Sequence, residues 1–217
     1  MKKILIVDDR EERQYDDLSK VENFDINAYA DIIDNWVGLE HKKLFEHLTI
    51  EDFSELPYTV IIVHQSVFEN DFRKEMKLEK LCKKNNKDLV LFSGQISTIS
   101  YKSDPKILKL NSSVLYSKNL ELFLKKSRSG EPKIEILGYG ENWELSLLIN
   151  IKKAINRFMS NRNEPEIMFE DFRAQVKLDS IKFLISFEEP NTTNINREYV
   201  ESLLEKISTE INSRMEY

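Results

Sequence analysis

The sequence predicts an α/β protein: a doubly wound, five-stranded parallel sheet with a mainly helical C-terminal extension or small second domain. Three observations carry this. Apolar, largely β-branched runs recur at residues 4–7, 58–63 and 89–92 without polar alternation, so each reads as a strand buried on both faces. Segments with helical spacing lie between them, the alternation that builds a parallel sheet covered by helices. A breaker cluster, Ser127-Arg128-Ser129-Gly130-Glu131-Pro132, then ends the pattern. The division is therefore residues 1–127, a linker at 128–132, and a helical region at 133–217.

Ile4-Leu5-Ile6-Val7 is the first strand, and Asp8 and Asp9 follow where it leaves the sheet. Tyr15, Leu18 and Val21 have helical spacing, with acids in the opening turn where the helix dipole favours them. Residues 24–29 form a weak second strand, interrupted by Asp25 and Asn27. Ile33, Trp36, Val37, Leu44, Phe45 and Leu48 favour a helix over 32–48. Thr49-Ile50-Glu51-Asp52 resembles another helix start, closed by Pro57. Residues 58–63 are the central strand and end at His64. A helix over 69–84 turns Phe72, Met76, Leu81 and Cys82 inward. The strand at 89–92 ends at Ser93-Gly94. Residues 95–111 are irregular, with strand-like alternation near Tyr101 and at most two helical turns after Pro105. Residues 114–116 read as a fifth strand ending at Ser117-Lys118-Asn119, and a helix follows from Leu120.

Beyond the linker, residues 133–137 resemble a strand and Gly138-Tyr139-Gly140 a turn. Asn142 caps a long helix striped by Leu145, Leu148, Ile151, Ala154, Ile155, Phe158 and Met159. Pro165 interrupts, residues 166–172 look helical, and 181–187 suit either a strand or a buried helix. Residues 188–196 are a polar loop. Val200, Leu203, Leu204, Ile207 and Ile211 define a final amphipathic helix.

Composition bounds the function. A formal charge of −6 gives no general attraction to nucleic acid or anionic lipid, which argues against both as partners. No apolar run approaches the roughly 20 residues that cross a bilayer. The chain enters a strand at once, without the apolar region of a signal peptide, and it reads as cytoplasmic. Cys82 is the one cysteine; it can form no internal disulfide and offers no metal-ligand spacing, so a part-buried structural thiol is expected. His41 and His47 are six residues apart on a helical pattern and do not share a face as paired ligands would.

Taken together, the strand ends carry Asp8 and Asp9, His64, Ser93 and Lys118. This order resembles the receiver domain of two-component response regulators, on the words Ile4-Leu5-Ile6-Val7-Asp8-Asp9, Leu89-Val90-Leu91-Phe92-Ser93-Gly94 and Leu115-Tyr116-Ser117-Lys118. The resemblance spans residues 1–127 and implies a flavodoxin-like, five-stranded parallel fold. It implies that Asp8 and Asp9 bind magnesium, that Ser93 contacts a phosphoryl group and that Lys118 pairs with it. The phospho-acceptor is the departure: the family has an aspartate where this chain has His64. Asn119 also replaces the family's proline, and the fourth helix looks remodelled around Pro105.

The leading reading is thus a pseudo-receiver, not an enzyme, that works by protein–protein contact without phosphorylation. Its C-terminal helices are candidate partner or homodimer faces, although the same stripes could simply pack on each other. It needs no cofactor; magnesium at Asp8 and Asp9 is the candidate exception. In the blander reading those acids cap the first helix or are neutralised by Lys118, and His64 is structural. The alternatives are a regulator switched by magnesium or by phosphorylation at His64, or one with a nucleic-acid-binding effector at 131–217. No basic recognition helix supports the last.

Overall fold

The computed structural model describes residues 3–22, 24–130, 132–160 and 166–215, and the chain divides into two compact units, Met1–Glu141 and Asn142–Tyr217. In the first, β1 (Ile4–Asp8), α1 (Glu11–Leu18), β2 (Ile33–Val37), α2 (Lys42–Ile50), β3 (Val60–His64), α3 (Phe72–Lys84) and β4 (Asp88–Phe92) alternate. A hairpin of β5 (Ser100–Ser103) and β6 (Lys106–Leu110) follows, then the helices α4 (Ser112–Leu115), α5 (Lys118–Ser129) and α6 (Glu135–Tyr139). The sheet runs β2-β1-β3-β4-β6-β5, and only β5 is antiparallel to its neighbour. Its five parallel strands have an order compatible with a flavodoxin-like doubly wound sheet.

The continuously apolar strands are buried throughout because both faces are covered. Leu5, Val7, Ile61, Val63, Leu89, Leu91 and Ile107 pack with Leu44 and Leu48 of α2 and Leu78, Leu81 and Cys82 of α3. Ile4, Ile6, Ile62, Val90 and Leu108, of opposite parity, are equally buried. On that side Gly138 of α6 comes so close that a Cβ would lie 3.1 Å from Ile99 and 3.2 Å from Leu108.

Several expectations are corrected. The sheet has six strands, not five. The second strand is 33–37, while 26–29 is a turn of 3-10 helix; β2 lies at the edge and buries little beyond Ile33, so its polar residues are tolerated. Glu51 does not open a helix but ends α2 in the left-handed region. Phe72 and Met76 face outward, because Glu75, Leu78, Leu81 and Cys82 form the buried stripe of α3. The strand parallel to β4 is β6, whereas 114–116 falls in and just after the single helical turn of α4. No helix joins β4 to β6. A parallel connection has to carry the chain back across the sheet, and here β5, running antiparallel at the edge, makes that return.

The unit boundary lies at 141–142 rather than 128–132. Residues 118–129 are one helix, and 135–139 form α6 instead of a strand. Ile134, Ile136 and Leu137 are buried, Tyr101 donates to Glu135 (2.6 Å) and Asn119 to the Leu137 carbonyl (3.2 Å), which keep this segment with the sheet. Glu131 lies outside the described residues, as does the break expected at Pro165.

The second unit comprises α7 (Trp143–Ser160), β7 (Ile167–Met168), α8 (Phe169–Val176), β8 (Asn194–Ile195) and α9 (Arg197–Met215). β7 and β8 pair antiparallel, so the polar loop contains a two-residue strand; 181–187 is neither strand nor buried helix, since a 3-10 turn at 178–181 runs into turn and irregular chain over 182–187. α7 packs on α8 and α9; Leu148, Ile151 and Ile155 of α7 and Val200, Leu203 and Ile207 of α9 are buried within the chain. The two stripes expected as partner faces are thus largely covered within this unit. Among the described residues, no helix is long and apolar enough to cross a membrane.

Candidate functional site

The carboxyl ends of β1 and β3 bring the key residues together. Their register pairs Val7 with Val63, so Asp8 and His64 lie level one residue later and, by strand alternation, on the same face. β1 connects outward to β2 on one side and β3 lies on the other, so this is the topological switch point where doubly wound sheets bind ligands.

Asp8 is fully buried and its carboxylate is satisfied on both oxygens. Oδ1 accepts from the Arg10 amide (3.1 Å) and from Arg13 Nη1 (2.8 Å), and Oδ2 from the Tyr116 hydroxyl (3.2 Å). Arg13 Nη1 also donates to Asp9 Oδ1 (3.3 Å). Arg13 follows Asp9 by one helical turn, which lets its guanidinium reach back over both acids. Ser66 donates to Asp9, and the Ser66 amide donates to His64 Nδ1 (3.1 Å), which makes that nitrogen an acceptor. The His64 ring lies edge-on to Phe92 (4.9 Å), and Phe92 lies edge-on to Tyr116 (5.4 Å).

Environment sets the charges. Burial pushes the Asp8 carboxyl up to about 6, against the opposing pull of the Arg10 amide and Arg13. Burial also raises Asp9, but the Ser66 hydroxyl, Arg13 and His64 outweigh it and hold Asp9 below its ordinary value. Burial, aided by Arg13, lowers His64 to about 4, so the imidazole is neutral at pH 7. Burial and the Asp8 carboxylate push the Tyr116 hydroxyl well above its ordinary value, so it remains a donor.

Of the five residues expected at the site, Asp8, Asp9 and His64 converge. Ser93 lines the cleft beside His64, but its hydroxyl accepts from the Gln95 amide (3.2 Å). Lys118 does not take its expected place. The strand that was to deliver it is instead α4, and Lys118 is exposed in the first turn of α5. Arg13 is the cation that bridges both acids, and Arg10 Nε lies 3.9 Å from Asp9 Oδ2. Sequence reasoning missed Arg13, Ser66 and Tyr116; the i to i+4 spacing of Asp9 and Arg13 was the available signal. His47 stacks on Trp36 (6.1 Å), His41 contacts the Gly38 carbonyl, and Cys82 is buried with its thiol pushed up to about 12.

Asp8, Asp9 and His64 each offer an atom within 4.8 Å of the others. A mixed imidazole and carboxylate set suits a first-row transition ion better than magnesium, which prefers oxygen ligands. The set fits magnesium poorly also because the Arg13 guanidinium already holds the shared face of the two acids. Comparison with protein-family models, with curated proteins and with solved structures finds no match for this chain.

Proposed function

We propose that residues 1–141 act as a phosphorylation-independent pseudo-receiver, a regulatory or scaffolding protein module that works through protein contact rather than catalysis. The observation that supports this reading is Arg13, whose guanidinium bridges Asp8 and Asp9, the pair that the resemblance implies would hold magnesium in a receiver. His64 supports it. An acceptor must offer an anionic oxygen beside a cation, and a buried neutral imidazole whose Nδ1 already accepts from Ser66 offers none. Lys118 on the first turn of α5 is not among the residues lining the cleft. Incubation with magnesium and acetyl phosphate should leave the intact protein unlabelled by mass spectrometry; incorporation of one phosphoryl group per chain overturns the reading.

The Asp8, Asp9 and His64 cluster favours one second reading, control by a divalent ion that displaces Arg13. A melting temperature that rises saturably with magnesium, manganese or zinc and loses that response in Asp9→Asn would select it. The C-terminal unit supplies no observation in favour of a nucleic-acid effector.

A further inference from the structure

Beside the acid corner lies a cleft of about 620 Å³, within the size range of small-molecule sites. Its walls come from the ends of β3 and β4, from the start of α4, from α1, and from the segment leading into α3. The charges along it are already paired inside the protein. Arg13 is held by Asp8 (2.8 Å), Asp17 by Lys20 (2.7 Å), Asp71 by Arg73 (3.3 Å) and Glu75 by Lys109 (2.7 Å). An anion such as phosphate would find no uncommitted cation there among the described residues, and each carboxylate already has a lysine or arginine within 3.3 Å, exposed at Asp17 and Asp71 and part-buried at Glu75.

What remains is neutral. Gln65, Asn70 and Gln95 line the cleft, and carboxamides present a donor and an acceptor side by side; Gln65 Nε2 already donates to Glu75 Oε2 (3.2 Å), which leaves its carbonyl oxygen and second N–H for a ligand. That pair matches the adjacent donor and acceptor on the edge of a nitrogen heterocycle. Ser112 also lines it, and its buried hydroxyl has no hydrogen-bond partner. Phe72 also lines the cleft and keeps 67% of its surface exposed, so its ring is accessible there. An exposed aromatic face beside carboxamides suits a planar base, which stacks on it whatever its sequence identity.

We propose that this cleft binds an uncharged nitrogen heterocycle of the nucleoside class, stacked on Phe72 and read by the Gln65 and Gln95 carboxamides, without recognition of a phosphate. The proposal is independent of the pseudo-receiver reading: phosphodonor labelling tests that one, and nucleoside binding tests this. Neither Phe72 nor Gln95 is in the core, so their alanine variants should fold.

Calorimetric titration of the full chain with adenosine, guanosine, cytidine and uridine tests it, with AMP and GMP as the phosphorylated counterparts. At least one nucleoside should give saturable heat and bind no more weakly than its monophosphate. Phe72→Ala should weaken that binding about tenfold, the size of one base–aromatic stack, and Gln95→Ala should change the preference among the four. Absence of saturable binding by all four nucleosides overturns the proposal. So does binding that requires the phosphate, or binding that Phe72→Ala leaves unchanged.

Discussion

A guanidinium can satisfy two carboxylates at once, and removing it strands a buried charge. Arg13→Ala should therefore destabilise the protein by about 3 kcal/mol in urea melts, at the low end for breaking a buried pair because Arg13 is only part-buried. Asp8 and His64 make opposite contributions to the pH dependence. Asp8 rises from 3.8 to about 6 on folding, so the native state binds its proton more tightly and stability falls as pH increases through that window. His64 drops from 6.5 to about 4, so the native state binds its proton less tightly and stability rises as pH increases through nearly the same window. At about 1.4 kcal/mol per unit of pKa, each effect is on the order of 3 kcal/mol, and together they nearly cancel. Asp8→Asn should leave the rising slope between pH 4 and 6.5, and His64→Gln the falling one. Variants that both keep the parent pH profile would show that neither group is perturbed. The acids and His64 were legible in the sequence because strand ends are local. Tyr116 was not, since its hydroxyl reaches Asp8 across 108 residues.

Elements were legible where burial is symmetrical and illegible at the edges. β1, β3 and β4 are covered on both faces, so their apolar runs carry the signal. β2 mixes Asp34 and Asn35 with Ile33, Trp36 and Val37, and a helical period runs through the same residues. β6 carries Lys106 and Lys109 because one long side chain reaches Glu135 (3.6 Å) and the other Glu75 and Glu79 (2.7 and 3.0 Å). The turn of α4 and the helix α6 resemble strands because each is a short, buried apolar stretch, which periodicity cannot assign. The closeness of α6 to the sheet makes Gly138 a sharp test. Gly138→Val would drive methyl groups into Ile99 and Leu108 and should cost about 1–3 kcal/mol by chemical denaturation. Tyr101→Phe should cost about 1–3 kcal/mol as well, since it leaves the buried Glu135 Oε1 without its hydroxyl donor.

At the scale of the molecule, the C-terminal unit has its own core, in which Phe158 meets Phe172 edge-on (5.3 Å) and α7 packs on α9. Ile207→Ala, fully buried on α9, should cost about 2–5 kcal/mol. Its boundary was misplaced because Ser127 to Pro132 has the composition of a linker, whereas tertiary contacts hold the described residues there: the Lys3 ammonium donates to the carbonyls of Ser127 (3.1 Å) and Gly130 (2.9 Å). The arginine over the acid corner has a consequence for the molecule in its surroundings. A bound ion leaves at a rate and returns in proportion to its concentration, so an ordinary metal corner reports the ionic composition around it. A tethered cation never diffuses away, and its effective concentration at the acids is set by the chain, at about millimolar or above for so short a tether. An ion that binds Asp8 and Asp9 no more tightly than the guanidinium has to exceed that level before the corner responds, so towards weakly binding cations it behaves as though permanently loaded, and a tighter-binding divalent ion is needed to open it.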